Sequence, residues 1–263
     1  MTQRCAWLIS LGDVDTAAQL TASQLRPYGL RIEGQRWPAE EKQAWLASAQ
    51  EAASAGARLI LIVATPEQYQ KPKLRRELAL FRLFLQTLTK SAIDGLVILT
   101  DPSKASEVRA DLPGTPLLGD FEIVQGSGWQ AKAVARLHAP RKPKWPVRFG
   151  LYAQEKLGVW LEVKPQPSEV TAGCLVGVSG NESRISFHAV GEAGRLPEKS
   201  VNEYELKGIE FETAGHKFTA WALQNTLTSG DAYYVRLEDE PDMLAIGTLP
   251  GGEVSDVDLF CLR

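Results

Sequence analysis

The sequence predicts an α/β N-terminal half, a short basic linker and an all-β C-terminal half. Residues 1–138 alternate apolar strand-like runs with helix-like runs, whereas residues 147–263 contain short segments in which polar and apolar residues alternate. Between them, residues 139–146 contain three prolines, which exclude a helix and an interior strand. The 263 residues suffice for two domains of ordinary size, and we expect these domains at 1–138 and 147–263.

Five strand–helix units make up the predicted N-terminal domain. Its clearest strand, 58–64, is almost wholly aliphatic, as expected where helices cover both faces of a parallel sheet. A long helix, 73–92, places Leu74, Leu78 and Phe81 on one face. These units predict a doubly wound, mostly parallel five-stranded sheet of Rossmann-like or flavodoxin-like type, with the strand order left open. The other predicted strands are 5–10, 30–36, 95–100 and 117–124, and the other helices are 16–25, 38–55, 105–110 and 129–137.

Nine short strands make up the predicted C-terminal domain. Glycine, proline, asparagine and aspartate turns separate them, which is typical of a sandwich or a barrel. The predicted strands are 148–153, 158–163, 175–178, 184–190, 208–213, 217–223, 232–237, 244–249 and 257–262.

The cysteines and the apolar runs indicate a cytoplasmic protein without membrane contact. Cys5, Cys174 and Cys261 are an odd number, lie far apart and show no C-x-x-C spacing, so we expect buried reduced thiols. No secretory signal is visible at the N-terminus, and the apolar runs are too short to span a bilayer.

Charge is divided unevenly along the chain. The formal net charge is −3, but residues 123–154 contain six basic residues and no acidic one. Residues 155–263 contain 9 basic and 18 acidic residues. Asymmetry of this kind is informative about binding partners and says little about fold.

The loops that follow the predicted parallel strands are the candidate ligand contacts. Ligands of open parallel sheets bind outside the carboxyl ends of the strands. Residues 126–131 match the spacing G-x-G-x-x-A between a strand and a helix, which lets backbone N–H groups approach a phosphate, although an ordinary glycine-rich turn has the same composition. The complete set of candidates is Ser10, Gly12, Thr65, Lys71, Lys73, Thr100, Gly126, Ser127 and Gly128.

Basic residues gather at the start of the predicted long helix. Residues 71–76 contain two lysines and two arginines, and cations at this end oppose the helix dipole. A bound anion would compensate for them; the alternative is that these side chains extend into water. Asp13 and Asp101 repel phosphate, so we expect the anion nearer the third and fifth loops than the first.

No catalytic signature is found in the sequence. Asp15 or Thr16 is best explained as a helix N-cap, and the three histidines are too scattered for a zinc site. Residues 177–181 lack the glycine spacing of a serine hydrolase, and the acidic run 238–242 lacks that of an EF-hand. We therefore expect no catalytic residue and no metal site, and the sequence requires no cofactor.

The basic linker is a candidate contact with nucleic acid or with a protein partner. Arg141, Lys142, Lys144 and Trp145 combine phosphate-binding charge with an aromatic ring on which a base could stack. The alternative is that this segment docks on the acidic domain of its own chain.

The glycine-containing first loop and the strand–loop–helix plan resemble those of Rossmann-like nucleotide sensors, including CRISPR-associated Rossmann-fold sensors. The resemblance implies a nucleotide-like ligand at the strand ends. We expect a sensor or binding protein that takes an anionic, nucleotide-like ligand, with a β domain that contacts a macromolecular partner. The alternatives are a non-catalytic structural or interaction subunit of a larger, nucleic-acid-associated assembly, and an enzyme whose residues the sequence does not identify.

Overall fold

A computed structural model describes residues 4–108, 113–154, 156–180, 182–249 and 257–263. The chain divides into two compact units. The first unit comprises Met1–Asp111 and Leu118–Pro143, and the second comprises Leu112–Leu117 and Lys144–Arg263. Residues 139–147 contain neither helix nor strand. No helix in the described part of the chain combines the length and apolar character needed to cross a membrane.

The first unit is built on one parallel sheet with helices. In chain order its elements are β1 (Cys5–Leu11), α1 (Asp15–Leu25), β2 (Arg31–Arg36), α2 (Ala44–Ser54), β3 (Ala57–Ala64), α3 (Pro66–Tyr69), α4 (Pro72–Thr89), β4 (Asp94–Leu99), β6 (Glu122–Ile123) and α5 (Trp129–His138). The strand β5 (Thr115–Pro116) lies between β4 and β6 in the chain but belongs to the second unit. The sheet order is β2-β1-β3-β4-β6, and every neighbouring pair is parallel. The prediction of a five-stranded parallel sheet with helices is confirmed at this level.

The central strand β3 is buried on both faces. Leu59, Leu61 and Val63 belong to a core cluster that also contains residues of α1 and α5. Ile60 and Ile62 point to the opposite face and are fully buried as well. This two-sided burial explains the nearly continuous aliphatic run in the sequence.

Two predicted helices, 38–55 and 105–110, differ from the structure. The helix predicted at 38–55 begins at Ala44, because Gln43 has a left-handed backbone (φ 52°) that interrupts helical geometry. The helix predicted at 105–110 is wrong in its described part, because residues 105–108 form turns after a short 3-10 helix, Pro102–Lys104; its last two residues lie outside the described residues.

The predicted N-cap of the first helix is wrong. Helix α1 begins at Asp15 with Val14 as the cap residue, and no side chain caps it in the described structure. A carboxylate oxygen of Asp15 lies 3.8 Å from the Arg36 guanidinium. Asp15 therefore sits in the first turn, where a negative charge favours the helix dipole.

The strand predicted at 117–124 is divided between the two units. Only Glu122–Ile123 joins the parallel sheet, next to β4. Upstream, β5 pairs with the last strand of the second unit, and the Leu117 N–H donates to the Cys261 carbonyl at 2.8 Å. These hydrogen bonds place the start of the segment in the second unit.

The described part of the second unit consists of strands and turns. The strands are β7 (Arg148–Gln154), β8 (Gly158–Lys164), β9 (Thr171–Ser179), β10 (Arg184–Glu192), β11 (Leu206–Thr213), β12 (His216–Leu227), β13 (Asp231–Glu238), β14 (Met243–Gly247) and β15 (Val257–Cys261), and each overlaps one of the nine predicted strands. They form a four-stranded sheet, β10-β13-β8-β7, and a six-stranded sheet, β11-β12-β9-β14-β15-β5. Phe149 and Phe260 meet between these two sheets with ring centroids 4.8 Å apart.

Candidate functional site

A cavity of about 530 Å³ lies at the carboxyl end of the parallel sheet in the first unit. It is formed by the loop after β1, the end of β2 with the segment that follows it, and the start of α4. The sheet order reverses between β1 and β3, since β2 lies on one side of β1 and β3 on the other. Ligands of doubly wound sheets bind at such a reversal point.

The turn after β1 requires a glycine. Gly12 has φ +74°, which L-residues with a Cβ rarely adopt. A Cβ at this position would lie 3.1 Å from Nε2 of Gln68, which also lines the cavity. Ser10, one residue before the end of β1, is buried, and its carbonyl accepts the Trp37 N–H at 2.9 Å. Ser10 therefore supports the wall of the cavity through its backbone.

The start of α4 forms another wall of the cavity. Thr65 is the N-cap of the short helix α3, and its hydroxyl accepts the Gln68 N–H at 3.2 Å. Helix α4 begins with Pro72, and Lys71 at its N-cap makes no capping hydrogen bond in the described structure. Both Lys71 and Lys73 are exposed and line the cavity. Uncapped amides at a helix N-terminus attract anions.

Beneath this wall lies a buried carboxylate. Glu77 is 2% exposed, accepts the Trp37 indole N–H at 2.8 Å and has an oxygen 3.7 Å from Nζ of Lys73. Lys73 also donates to the Ala39 carbonyl at 2.6 Å. Trp37 is held edge-on against Phe81, with ring centroids 5.7 Å apart. These contacts fix the tryptophan and orient the lysine ammonium.

Charges of both signs surround the cavity. Arg36 lines it and forms ion pairs with Asp13 and Asp15. Glu40 and Glu41 also line it, together with the basic residues Arg36, Lys71 and Lys73. The positive potential is therefore local to the start of α4 rather than spread over the cavity.

The other candidates from the sequence have different surroundings. Thr100 donates its N–H to the Ala64 carbonyl at 2.9 Å, and Asp101 caps the following 3-10 helix. Residues 126–128 are exposed and are not among the described residues that line the cavity. Gly128 is the N-cap of α5 with φ +86°, and in the described structure no heavy atom beyond its own chain neighbours lies within 4 Å of the position a Cβ would take. The structure thus gathers Gly12, Lys71 and Lys73 in one cavity and leaves the Gly126–Gly128 loop open to solvent.

Sequence reasoning missed the contribution of the second strand. Arg36 and Trp37 lie where β2 ends, yet the candidates predicted from the sequence include no residue of this strand end. The weak apolar pattern of β2, whose residues are half-buried or exposed, gave little reason to include it. The signal that could have found them is an arginine and a tryptophan directly after a strand.

The linker residues divide into two groups. The Arg141 guanidinium and backbone N–H bind the buried carboxylate of Asp94 in the first unit. Trp145 is buried in the second unit, where its ring packs against Phe149 at 5.7 Å. Lys142 and Lys144 are exposed. Of the four linker candidates, the two lysines present free charge to solvent.

A second polar cluster lies between the sheets of the second unit. Nδ1 of the buried His188 shares a hydrogen bond of 2.7 Å with the Tyr233 hydroxyl. Its Nε2 lies 3.2 Å from a carboxylate oxygen of Glu205. Burial lowers the pKa of His188, and hydrogen bonds from Lys207 and Asn202 lower the pKa of Glu205 to about 2. Because His188 and Tyr233 are closed to solvent, this cluster holds a neutral imidazole in the core.

In the described residues, no three His, Cys, Asp or Glu side chains are grouped so that they could hold a metal ion. All three cysteines are buried, and none of them forms a disulfide in the described structure.

Comparison with known proteins identifies no family. No family model matches the chain, and no curated protein matches it. Among solved structures, the crystal structure of ChBD3 from Thermococcus kodakarensis KOD1 is similar with a TM-score of 0.21 and 9% identity, over 41% of this chain and 91% of that chain. A structure of catalytic inactive OgpA from Akkermansia muciniphila with an O-glycopeptide substrate is similar with a TM-score of 0.19 and 10% identity, over 99% of this chain and 93% of that chain. Scores this low establish neither a shared fold nor a shared family.

Proposed function

We propose that this chain is a binding protein whose first unit takes an anionic, nucleotide-like ligand and whose second unit contacts a protein partner. The order β2-β1-β3-β4-β6, counted within the sheet, is 2-1-3-4-5, which supports a flavodoxin-like type for the first unit. The three buried cysteines, which form no disulfide in the described structure, support a cytoplasmic location.

The observation that carries the proposal is the cavity at the reversal of strand order. Its volume of about 530 Å³ is in the range of small-molecule sites. Lys71 and Lys73 bring formal positive charge to the N-terminus of α4, where backbone amides add to it. We propose that the phosphate of the ligand binds there, between the first and third loops, and not at the Gly126–Gly128 loop.

The rest of the cavity supports a ligand with an uncharged body. Leu11, Pro38 and Leu74 add apolar surface, and the fixed Trp37 lines the same space. Glu40 and Glu41 provide acceptors for hydroxyl groups, whereas they would repel a second phosphate. A nucleoside monophosphate combines these properties.

Calorimetric titration of the whole chain with AMP, ADP, ATP and inorganic phosphate tests the proposal. Lys71→Ala with Lys73→Ala should weaken nucleotide binding by about tenfold or more, because a charge-assisted hydrogen bond contributes roughly 1.5–3 kcal/mol. Lys142→Ala with Lys144→Ala is the matched control, since these exposed lysines do not line the cavity. Equal weakening in both double variants, or no binding of any of the four compounds, would contradict the proposal.

A row of three aromatic residues and one arginine, of which Phe187 and Arg236 are exposed and Trp160 and Tyr152 half-buried, supports the partner contact of the second unit. Phe187, Arg236, Trp160 and Tyr152 lie directly opposite one another on the four strands of one sheet. Phe187 is 54% exposed, and its ring meets that of Trp160 edge-on at 5.8 Å. The Trp160 indole donates to the Leu157 carbonyl at 2.8 Å, which fixes the ring.

Tryptophan, tyrosine and arginine are the residues that dominate binding energy at protein interfaces, and fixed rings lose little entropy on binding. This row also supports the alternative function, an interaction subunit without a small ligand. Affinity purification from the native host distinguishes the cases: a protein that binds the wild type and is lost with Trp160→Ala and Phe187→Ala identifies the row as the interface. If the wild-type chain binds this partner but binds no nucleotide, the protein is the interaction subunit of the alternative function.

A further inference from the structure

A second cavity, of about 200 Å³, lies within the second unit. Val163 of the four-stranded sheet and Cys174 and Ile246 of the six-stranded sheet line it, so the cavity lies between the sheets. These three residues are buried, and the buried Leu227 completes the apolar base. The base of this cavity is therefore a small space between apolar walls.

The size and walls of this cavity suit an apolar group. An apolar cavity of roughly 150 Å³ in a protein core stays dry and binds benzene. The present cavity offers room for one ring and a short substituent. The side chains at its base, Val163, Leu227 and Ile246, have no polar atom with which to bind water.

Acidic groups lie on the exposed part of the lining. Glu169 and Asp258 line the cavity and are exposed, in contrast to the buried residues of its base. The lining also contains Lys164, but its ammonium is bound to the buried carboxylate of Glu162. With 9 basic and 18 acidic residues in 155–263, the surroundings add further negative potential.

We propose that this cavity binds a small organic amine. The apolar body of the amine lies between the sheets against Val163, Leu227 and Ile246, and its ammonium lies at the opening beside Glu169 and Asp258. An acid of the same size is excluded, because its carboxylate would be repelled by both side chains. This site is separate from the anion cavity of the first unit and does not depend on it.

Calorimetric titration of the whole chain with three probes of one shape tests the proposal: phenethylamine, 2-phenylethanol and phenylacetate. We expect the amine to bind more tightly than the alcohol and the acid not to bind. Glu169→Gln with Asp258→Asn should weaken amine binding by about fivefold and leave the alcohol unchanged, because only the amine forms ion pairs. Glu210→Gln with Glu212→Gln, an exposed acidic pair on β11 outside this cavity, is the matched control.

The Cys174→Met variant tests whether the probes bind in this cavity. Its longer side chain fills the base of the cavity and should abolish binding of both the amine and the alcohol. If this variant does not fold, the binding position is tested by chemical labelling of the wild type. The bound amine should slow the reaction of Cys174 with N-ethylmaleimide, while Cys5 and Cys261 serve as internal references. Burial raises the pKa of the Cys174 thiol to about 12, so its labelling is slow and is run for hours, at neutral pH where the amine remains protonated. The proposal is overturned if the wild type binds no amine at millimolar concentration, if the acid binds as well as the amine, or if both double variants respond alike. Amine binding should persist in Lys71→Ala with Lys73→Ala, which separates this result from that of the nucleotide titration.

Discussion

The carboxylate of Asp94, fully buried at the start of β4, accepts hydrogen bonds from the backbone N–H of Arg141 at 3.0 Å and from its Nε at 3.3 Å. Arg141 belongs to the linker segment, and its guanidinium also donates to the Asp120 carbonyl. Arg136 of α5 approaches the same carboxylate at 3.4 Å. The beginning of the linker is therefore fastened to the first unit by a buried charge.

Loss of the Arg141 side chain should destabilise the first unit. Arg141→Ala leaves Asp94 with one arginine instead of two, and we expect a loss of about 1–3 kcal/mol in the free energy of unfolding, since half of the Arg141 side chain is exposed. Urea unfolding followed by tryptophan fluorescence measures it. Lys142→Ala, the neighbouring exposed residue, should change stability by less than about 0.5 kcal/mol. Equal effects of the two substitutions would show that the Asp94 contact contributes nothing.

Any nucleic-acid binding by the linker should depend on its lysines. Lys142 and Lys144 are exposed, whereas Arg141 is occupied by Asp94 and Trp145 is buried. Lys142→Ala with Lys144→Ala should lower the slope of log affinity against log salt by about two for duplex DNA, one for each lost phosphate contact. Fluorescence anisotropy over a salt series measures the slope. An unchanged slope, or no binding at low salt, would remove the linker from the candidate nucleic-acid contacts.

Limited trypsin digestion should cleave between residues 139 and 146, because this segment contains no regular structure. Peptide bonds after Arg141 and Lys144 are the available sites. The amino-terminal fragment then retains β5, which pairs with β15 of the carboxyl-terminal fragment. We expect two fragments on a denaturing gel that elute together in native gel filtration. Degradation of either unit before the linker is cut would contradict this prediction.

Stability of the second unit should fall as the pH drops below about 6.5. Burial lowers the pKa of His188 below its ordinary value of 6.5, so the unfolded chain binds the proton more readily and is favoured as pH decreases. The pKa of Glu205 is lowered from 4.5 to about 2, so its contribution is present above pH 4.5 and is lost between 4.5 and 2. Thermal unfolding between pH 2 and 8 measures both effects.

His188→Gln should flatten the stability profile between pH 5 and 6.5, although it also lowers overall stability by removing the contact with Tyr233. His216→Gln, at the start of β12 and only half-buried, is the control and should leave the profile unchanged. A profile of the same steepness in His188→Gln would assign the pH dependence to other groups.

The two candidate positions for the phosphate can be separated by single substitutions. Gly128→Asp places a carboxylate at the open N-cap of α5, and if the phosphate binds beside Lys71 this change should alter nucleotide affinity by less than twofold. Gly12→Val, which brings a side chain against Gln68 at the cavity wall, should reduce binding strongly. Its backbone strain is about 1 kcal/mol or more, so circular dichroism must show that the variant is folded. Loss of binding in Gly128→Asp alone would return the site to the Gly126–Gly128 loop.

Much of the fold could be read from periodicity. The aliphatic run of β3 is visible because both of its faces are buried, and the short alternating strands of the second unit are visible because each has one face in a core. The predicted boundaries of helices and strands are wrong where backbone geometry or long-range strand pairing determines them. The left-handed backbone of Gln43 makes α2 begin later than predicted, and Thr115–Pro116 pairs with β15 in a sheet of the second unit. A window of neighbouring residues contains no information on either event.

For the candidate site, too, one part is determined by the sequence and another by the tertiary structure. The sequence alone determined that Gly12, Lys71 and Lys73 follow parallel strands, because strand direction fixes which loops share an edge. Only the tertiary structure decided that β2 lies beside β1, which brings Arg36 and Trp37 to that edge and forms the cavity with the start of α4. It also decided that Arg141 is bound to Asp94 and that Trp145 is buried, although both residues belong to the basic, proline-rich linker of the sequence. Strand order and burial depend on contacts between distant segments, and local propensity does not encode them.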